Sequence, residues 1–162
     1  MARKKFPWKE GDWIAIPLVR RGGWGVGIIA RMRAPAIVGY FFGPRRTKPP
    51  TLEELVGLRP EEAVLIGNTG DMGLRDQEWL VIGSQPGFQR VDWPMPVFGR
   101  DDMAGHYFAT TYDEDRPDRY LAEKRISAEE YAKLPRDVAH GHVALSLTLD
   151  KVLAEREGLA AA

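Results

Sequence analysis

The chain of 162 residues contains no cysteine. That excludes a disulfide framework, a thiolate metal site and a cysteine nucleophile. Net charge is absent too, because 23 basic side chains balance 23 acidic ones. A neutral chain has no general attraction for nucleic acid or an anionic membrane. Long apolar runs are missing: each is short and broken by Gly or Pro, so no transmembrane helix is expected. The basic start Met1-Ala2-Arg3-Lys4-Lys5 runs into Phe6-Pro7-Trp8-Lys9-Glu10, not into the apolar stretch of a signal peptide. These absences together point to a cytoplasmic protein.

Catalytic residue types are also scarce. The histidines are His106, His140 and His142, and the serines are Ser84, Ser127 and Ser146. No serine lies in Gly-x-Ser-x-Gly, so no nucleophile elbow is visible. His140-Gly141-His142 could set two imidazoles on one side of an extended segment. A metal would need a further ligand, and Asp137 is the acid nearby in sequence. A polar loop is the simpler reading. Gly22, Gly23, Gly25 and Gly27 resemble a phosphate-cradling loop only loosely. Such a loop leads into a helix N-terminus, and here the glycines lead into a strand. No metal or cofactor is expected.

What the chain does have is turns. Its 17 glycines and 12 prolines are spread along the whole length, which predicts short strands joined by tight connections. Trp13 to Leu18 is apolar and β-rich. Pro17 cannot donate to a ladder, so it should face an edge or mark where pairing stops. Val19 to Gly23 is a charged turn and Trp24 to Arg31 a returning strand. Glycines at 25 and 27 weaken that strand unless the backbone bends or another element packs close. Ala36 to Phe42 is a third strand, apolar enough to be buried on both faces.

Gly43 to Pro50 reads as a basic loop. Thr51 to Glu54 is a capping box opening a short helix to about Gly57. Ala63 to Gly67 and Glu78 to Gly83 read as strands, Asn68 to Gly73 as a loop, and residues 84 to 100 as a long irregular connection. His106 to Tyr112 and Tyr120 to Ile126 form a further strand pair around the turn Asp113 to Asp118. Ser127 to Glu130 is a second capping box, its helix stopped by Pro135. In the last segment Val143, Leu145, Leu147 and Leu149 alternate with smaller or polar residues. That period of two predicts a strand to Leu147, with Thr148 capping a helix to Glu157 and Gly158 ending it. A single helix from His142 to Glu157 is the alternative. The sum is an α+β fold, mostly antiparallel, with a strongly bent sheet or half-open barrel and two or three peripheral helices. Residues 1–10 form an N-terminal extension, 11–157 one domain and 158–162 a tail ending in Ala160-Ala161-Ala162.

Charged loops are the candidate contact surfaces. Asp113-Glu114-Asp115, like Asp101-Asp102, pairs carboxylates in a turn. Solvation explains them better than acid–base work, and the first group could clamp a basic partner. Arg45, Arg46 and Lys48, after Tyr40 to Phe42, could imitate a nucleic-acid platform, yet those aromatics read as core. Of the five tryptophans, Trp13 and Trp79 lie within apolar strands and read as core. Trp24, beside Arg20 and Arg21, fits core and interface equally well.

Gly11-Asp12-Trp13-Ile14-Ala15-Ile16-Pro17-Leu18, followed by Gly-Trp-Gly-Val-Gly-Ile-Ile at 23 to 29, resembles the opening of the immunity protein 26 family. The resemblance continues through Ile37 to Phe41, through Trp79 to Gly83, through Pro94 to Phe98, and through Leu147 to Val152. Gly11, Asp12, Pro17, Gly27, Trp79 and Gly83 carry its signature. The basic loop at 45–50 and the loop at 68–73 depart from it. The resemblance implies an immunity protein of a bacterial polymorphic toxin system. Such a protein binds a cognate toxin domain, blocks it by occlusion and is not an enzyme. Its expected contact residues here are Arg20, Arg21, Trp24, Arg45, Arg46, Lys48, Asp113, Glu114 and Asp115. Two rival readings are a small hydrolase or metal-dependent enzyme using His106, His140 or His142, and a nucleic-acid or regulatory binding domain.

Overall fold

The computed structural model describes residues 7–158. The basic start at 1–5 and the alanine tail lie outside them. Asp12–Pro17 (β1), Trp24–Arg33 (β2) and Ala36–Arg46 (β3) form consecutive antiparallel hairpins. Leu65–Gly70 (β4) and Leu80–Ser84 (β5) extend them on opposite sides, with the helical turn Met72–Arg75 (α1) between them in sequence. A second sheet is made by Phe98–Asp101 (β6), Tyr107–Tyr112 (β7) and Tyr120–Ile126 (β8). Ala128–Ala132 (α2), the two-residue strand Ala139–His140 (β9) and His142–Arg156 (α3) complete the chain. The strand orders are β5-β1-β2-β3-β4-β9 and β6-β7-β8. Among the described residues all pairings between strands are antiparallel except β4 with β9. The fold is therefore α+β and mostly antiparallel, as the sequence predicts, and its sheet is not closed.

Alternation along the central strands explains why both faces of the large sheet are covered. Ile14, Ile16, Ile29, Ile37 and Phe41 point to one face, where Leu145, Leu149 and Leu153 of α3 close over them. Trp13, Val26, Ile28, Tyr40 and Phe42 point to the other, where Leu55 and Trp93 close the core. Strands buried on both sides read as continuous apolar runs, as Ala36 to Phe42 does. Trp93 meets Trp13 edge-on at 5.8 Å and Tyr40 at 5.5 Å, a favoured aromatic geometry.

The signature residues hold this arrangement. At φ +91° Gly11 adopts a backbone that side chains rarely enter, and a Cβ there would lie 2.7 Å from Phe88. Asp12 accepts from the Lys9 amide at 2.9 Å and from the Ser84 hydroxyl at 2.6 Å, joining the start of β1 to β5. Pro17 pairs with Trp24 beyond Ala15, where pairing with β5 ends. Gly27 answers the question its presence raises: a Cβ there would lie 2.5 Å from the Phe41 ring. Gly83 faces Trp13 at the irregular β1–β5 register, and Trp79 is buried.

Several boundaries differ from the sequence reading. The basic loop begins late, because β3 runs on to Arg46. β4 is shifted to 65–70, so residues 68–70 are strand and the expected loop shrinks to a turn of helix. The helix expected after Thr51 is one 3-10 turn, Leu52–Glu54, although Glu54 Oε2 does accept from the Thr51 amide at 3.1 Å. Ser127 caps α2 as expected, accepting from the Glu130 amide at 3.1 Å. Trp8, assigned to an extension, is buried against the core.

The largest correction concerns 142–149. The expected strand is the first half of α3, and the single helix is the form observed. Leu145, Leu149 and Leu153, with the small Ser146 and Ala154, make one buried stripe at spacings of three and four. Val143 and Leu147 are exposed, so half of the apparent alternation belongs to the solvent face. Gly158, at φ +72°, follows the last turn. Leu149→Ala should therefore cost about 2–5 kcal/mol. Leu147→Ala should stay within about 0.5 kcal/mol. Urea denaturation of the two variants checks this, and equal costs would contradict the helix.

Candidate functional site

The structure gathers the expected contact residues into two places. The first is a corner where the β1–β2 turn meets the end of β3. Trp24 pairs with Arg46 across the strands, and Arg45 Nη1 donates to the Gly22 carbonyl at 2.7 Å. The corner is organised from α3. Asp150, fully buried, takes Arg45 Nη2 at 2.6 Å and the Arg21 amide at 3.0 Å, with the Arg21 guanidinium at 3.7 Å. Glu157 holds Arg45 from the last turn of α3 at 3.0 Å. Arg46 faces Glu54 at 3.8 Å. A buried carboxylate is tolerable only with such partners. Arg20 and Lys48 are exposed and Trp24 is half-buried. Arg45 is thus paired by α3 and Arg46 faces the 3-10 turn, while Lys48 stays exposed.

The second place is the turn between β7 and β8. Its centre is Arg31, a β2 residue that is 1% exposed. All five N–H donors of its guanidinium are used. Nη1 reaches the carbonyls of Ala30 at 2.7 Å and Trp93 at 2.9 Å, and Nη2 reaches that of Arg90 at 3.3 Å. Nε and Nη2 both reach Glu114 Oε1, at 3.2 and 2.6 Å. Asp115 pairs with Arg90 at 2.8 Å, and Arg90 also holds Glu10 at 2.7 Å. Asp113 accepts the Asp115 and Arg116 amides at 2.8 and 3.1 Å. Each acid of the expected clamp therefore has a partner within its own chain.

The three histidines have three separate partners. His106 Nδ1 lies 2.7 Å from Asp102. Backbone hydrogen bonds from Ala104 and His106, aided by the imidazole, hold the Asp102 carboxyl down to about 2. His140 faces the Asn68 carbonyl at 3.2 Å. His142 faces Glu78 at 3.3 Å. Asp137 is not a companion of the last two. It accepts from Thr110 and Tyr112, each at 2.8 Å. Among the described residues the group best placed for a cation is Asp76, Glu78 and His142, with ligand atoms within 4.8 Å of one another. Both of its carboxylates are exposed, and exposed acids gather in this way without any ion.

Sequence reasoning missed Arg31 and Asp150. Neither carries a local signal: Arg31 sits in an ordinary strand pattern and Asp150 in a helix. Partial burial and the Asp137 hydrogen bond push Tyr112 up to about 12.

Residues 9–109 match the model of a protein family described as Immunity protein 26. The match spans β1 to the middle of β7 and stops short of the stretch Leu147 to Val152. No curated protein and no solved structure matches the chain.

Arg31→Met keeps the aliphatic stem but strips three carbonyls and Glu114 of their donor. It should cost about 2–4 kcal/mol, since each buried unpaired polar group costs ~1–3 kcal/mol. It should also speed amide exchange over residues 113–119. Unchanged exchange there would show that the turn is held by other contacts. For Tyr112 the native state keeps a proton that an unfolded phenol releases near 10. This contribution is whole below about pH 10 and is lost as pH rises to about 12. NMR titration should place the Tyr112 midpoint near 12, falling partway back in Asp137→Asn.

Proposed function

The chain belongs to the immunity protein 26 family, and from that premise we propose that it binds a cognate toxin domain and blocks it by occlusion. The family match over 9–109 is the observation that carries this reading. The same proposal makes it a non-enzymatic protein of the cytoplasm, protecting the cell that produces the toxin. No helix among the described residues is long and apolar enough to cross a membrane. The proposed contact surface comprises the corner of Arg20, Arg21, Trp24, Arg45, Arg46 and Lys48, and the turn of Asp113, Glu114 and Asp115. Each is a loop surface braced by an ion pair with one buried member, Asp150 at the corner and Arg31 at the turn, and rigid loops bind without a large ordering cost.

The enzyme reading needs imidazoles that converge with a carboxylate in one pocket. His106, His140 and His142 face different partners on different elements, which favours binding over catalysis. A nucleic-acid reading needs a continuous basic face. Pairing of Arg45 with Asp150 and Glu157, and of Arg46 with Glu54, works against one.

The test is neutralisation. The toxin domain encoded immediately beside this chain should arrest growth when expressed alone. Co-expression of this chain should restore growth, and the two purified proteins should form a stable complex. Continued arrest, together with no complex by calorimetry, would rule the reading out.

A further inference from the structure

The turn between β7 and β8 uses Asp113, Glu114 and Asp115 within the chain and leaves its arginines over. Its backbone is held from end to end. The Asp113 amide donates to the Arg119 carbonyl at 2.9 Å, and the Arg119 amide donates to the Arg116 carbonyl at 2.7 Å. Pro117 is buried, and its carbonyl accepts from Asn68 Nδ2 at 3.3 Å. Glu114 pairs with Arg31, and Asp115 with Arg90, which it shares with Glu10. The guanidiniums of Arg116 and Arg119 have no partner among the described residues, and neither has that of Arg33 at the end of β2. All three side chains are exposed. All three line one open cleft of about 420 Å3, together with Ala34 and Asp118.

This contrasts with the arginines around it. Arg21, Arg31, Arg45, Arg90 and Arg100 each hold a carboxylate of the same chain. Three guanidiniums without such a carboxylate stand together in one cleft, on a backbone that is already fixed.

We propose that this cleft docks an acidic segment of a partner protein, its Asp or Glu carboxylates taken by Arg33, Arg116 and Arg119. The inference rests on the toxin-binding reading and names the chemistry of the toxin surface that this turn meets. A guanidinium offers a planar fork that fits a carboxylate through two parallel hydrogen bonds. Because the turn is already ordered, docking does not have to freeze it. The cleft's charge, three arginines against Asp118, is positive. Asp118 is shared with a second cleft lined by Pro35, Tyr112 and Asp137, so it marks the boundary between the two. A carboxylate at that boundary repels a continuing phosphate backbone, and the cleft is too small to track one. A short acidic protein segment fits it and a nucleic acid does not. A turn that reads as acidic in the sequence therefore selects an acidic partner, not a basic one.

The test uses R116E/R119E and, separately, R33E in the full chain. Melting temperatures should be unchanged, because none of these guanidiniums has an intrachain partner to lose. Affinity for the toxin domain encoded beside the chain should fall about tenfold or more, mainly through slower association that depends steeply on salt. Should the double reversal fail to fold, R116Q/R119Q carries the same comparison. In parallel, hexaglutamate should move the Arg33, Arg116 and Arg119 Nε–Hε signals in an NMR titration at low salt, and a single-stranded oligothymidine should not. Full affinity in folded variants overturns the cleft and leaves neutralisation standing. Failure of the unsubstituted chain to bind the toxin domain overturns the functional reading and this inference with it. Stronger movement of the three signals by the oligothymidine overturns the choice of a protein ligand.

Discussion

A guanidinium that is 1% exposed must find an acceptor for every donor, and the placement of Arg31 follows from that demand. Its register explains how it gets there. The β2–β3 pairing shifts between Ile29 and Arg31. Regular alternation would aim Arg31 to the side of Ile29, under α3. The bulge re-aims it toward Trp93 on the opposite face. From there one side chain ties β2 to the connection at 90–93 and to the turn after β7. The small sheet is thereby anchored to the large one through a contact between residues 83 positions apart.

Asp150 repeats the device with the sign reversed. A buried carboxylate on α3 gathers Arg21 from the β1–β2 turn and Arg45 from the end of β3, and Ser146, one turn earlier, donates to the Pro17 carbonyl at 2.7 Å. The helix is locked onto the sheet by polar contacts at its edge and by Leu149 in its middle, where Gly25 leaves room for it. In both places the charges that make a loop look available for binding are partly consumed in building the loop. Such pairs add little net stability over an apolar contact, and they specify one geometry. Under the toxin-binding reading proposed above, that rigidity keeps the contact surface fixed.

The sequence was most legible where physics is local. The first hairpin, the strand pair around the acidic turn, the Ser127 cap and the two-faced burial of β3 all follow from patterns within a few residues. It was least legible where a pattern fits two periods. Val143, Leu145, Leu147 and Leu149 alternate as a strand would, yet Leu145 and Leu149 alone meet the core. The choice was made by Leu153 and by the glycine at position 25, neither of which lies in the alternating run. The candidate site was legible as a set of charged loops. Which of their charges remain open to a partner was not.

By itself the sequence determined the family, the α+β class and the first hairpin. Those features rest on composition, turn residues and short-range periodicity. The tertiary structure alone decided that 142–156 is one helix, that Arg31 and Asp150 are buried hubs, and that the acidic turn presents its arginines. Burial and charge pairing depend on residues far apart in the chain, and a carboxylate reads the same in a sequence whether water or a guanidinium faces it.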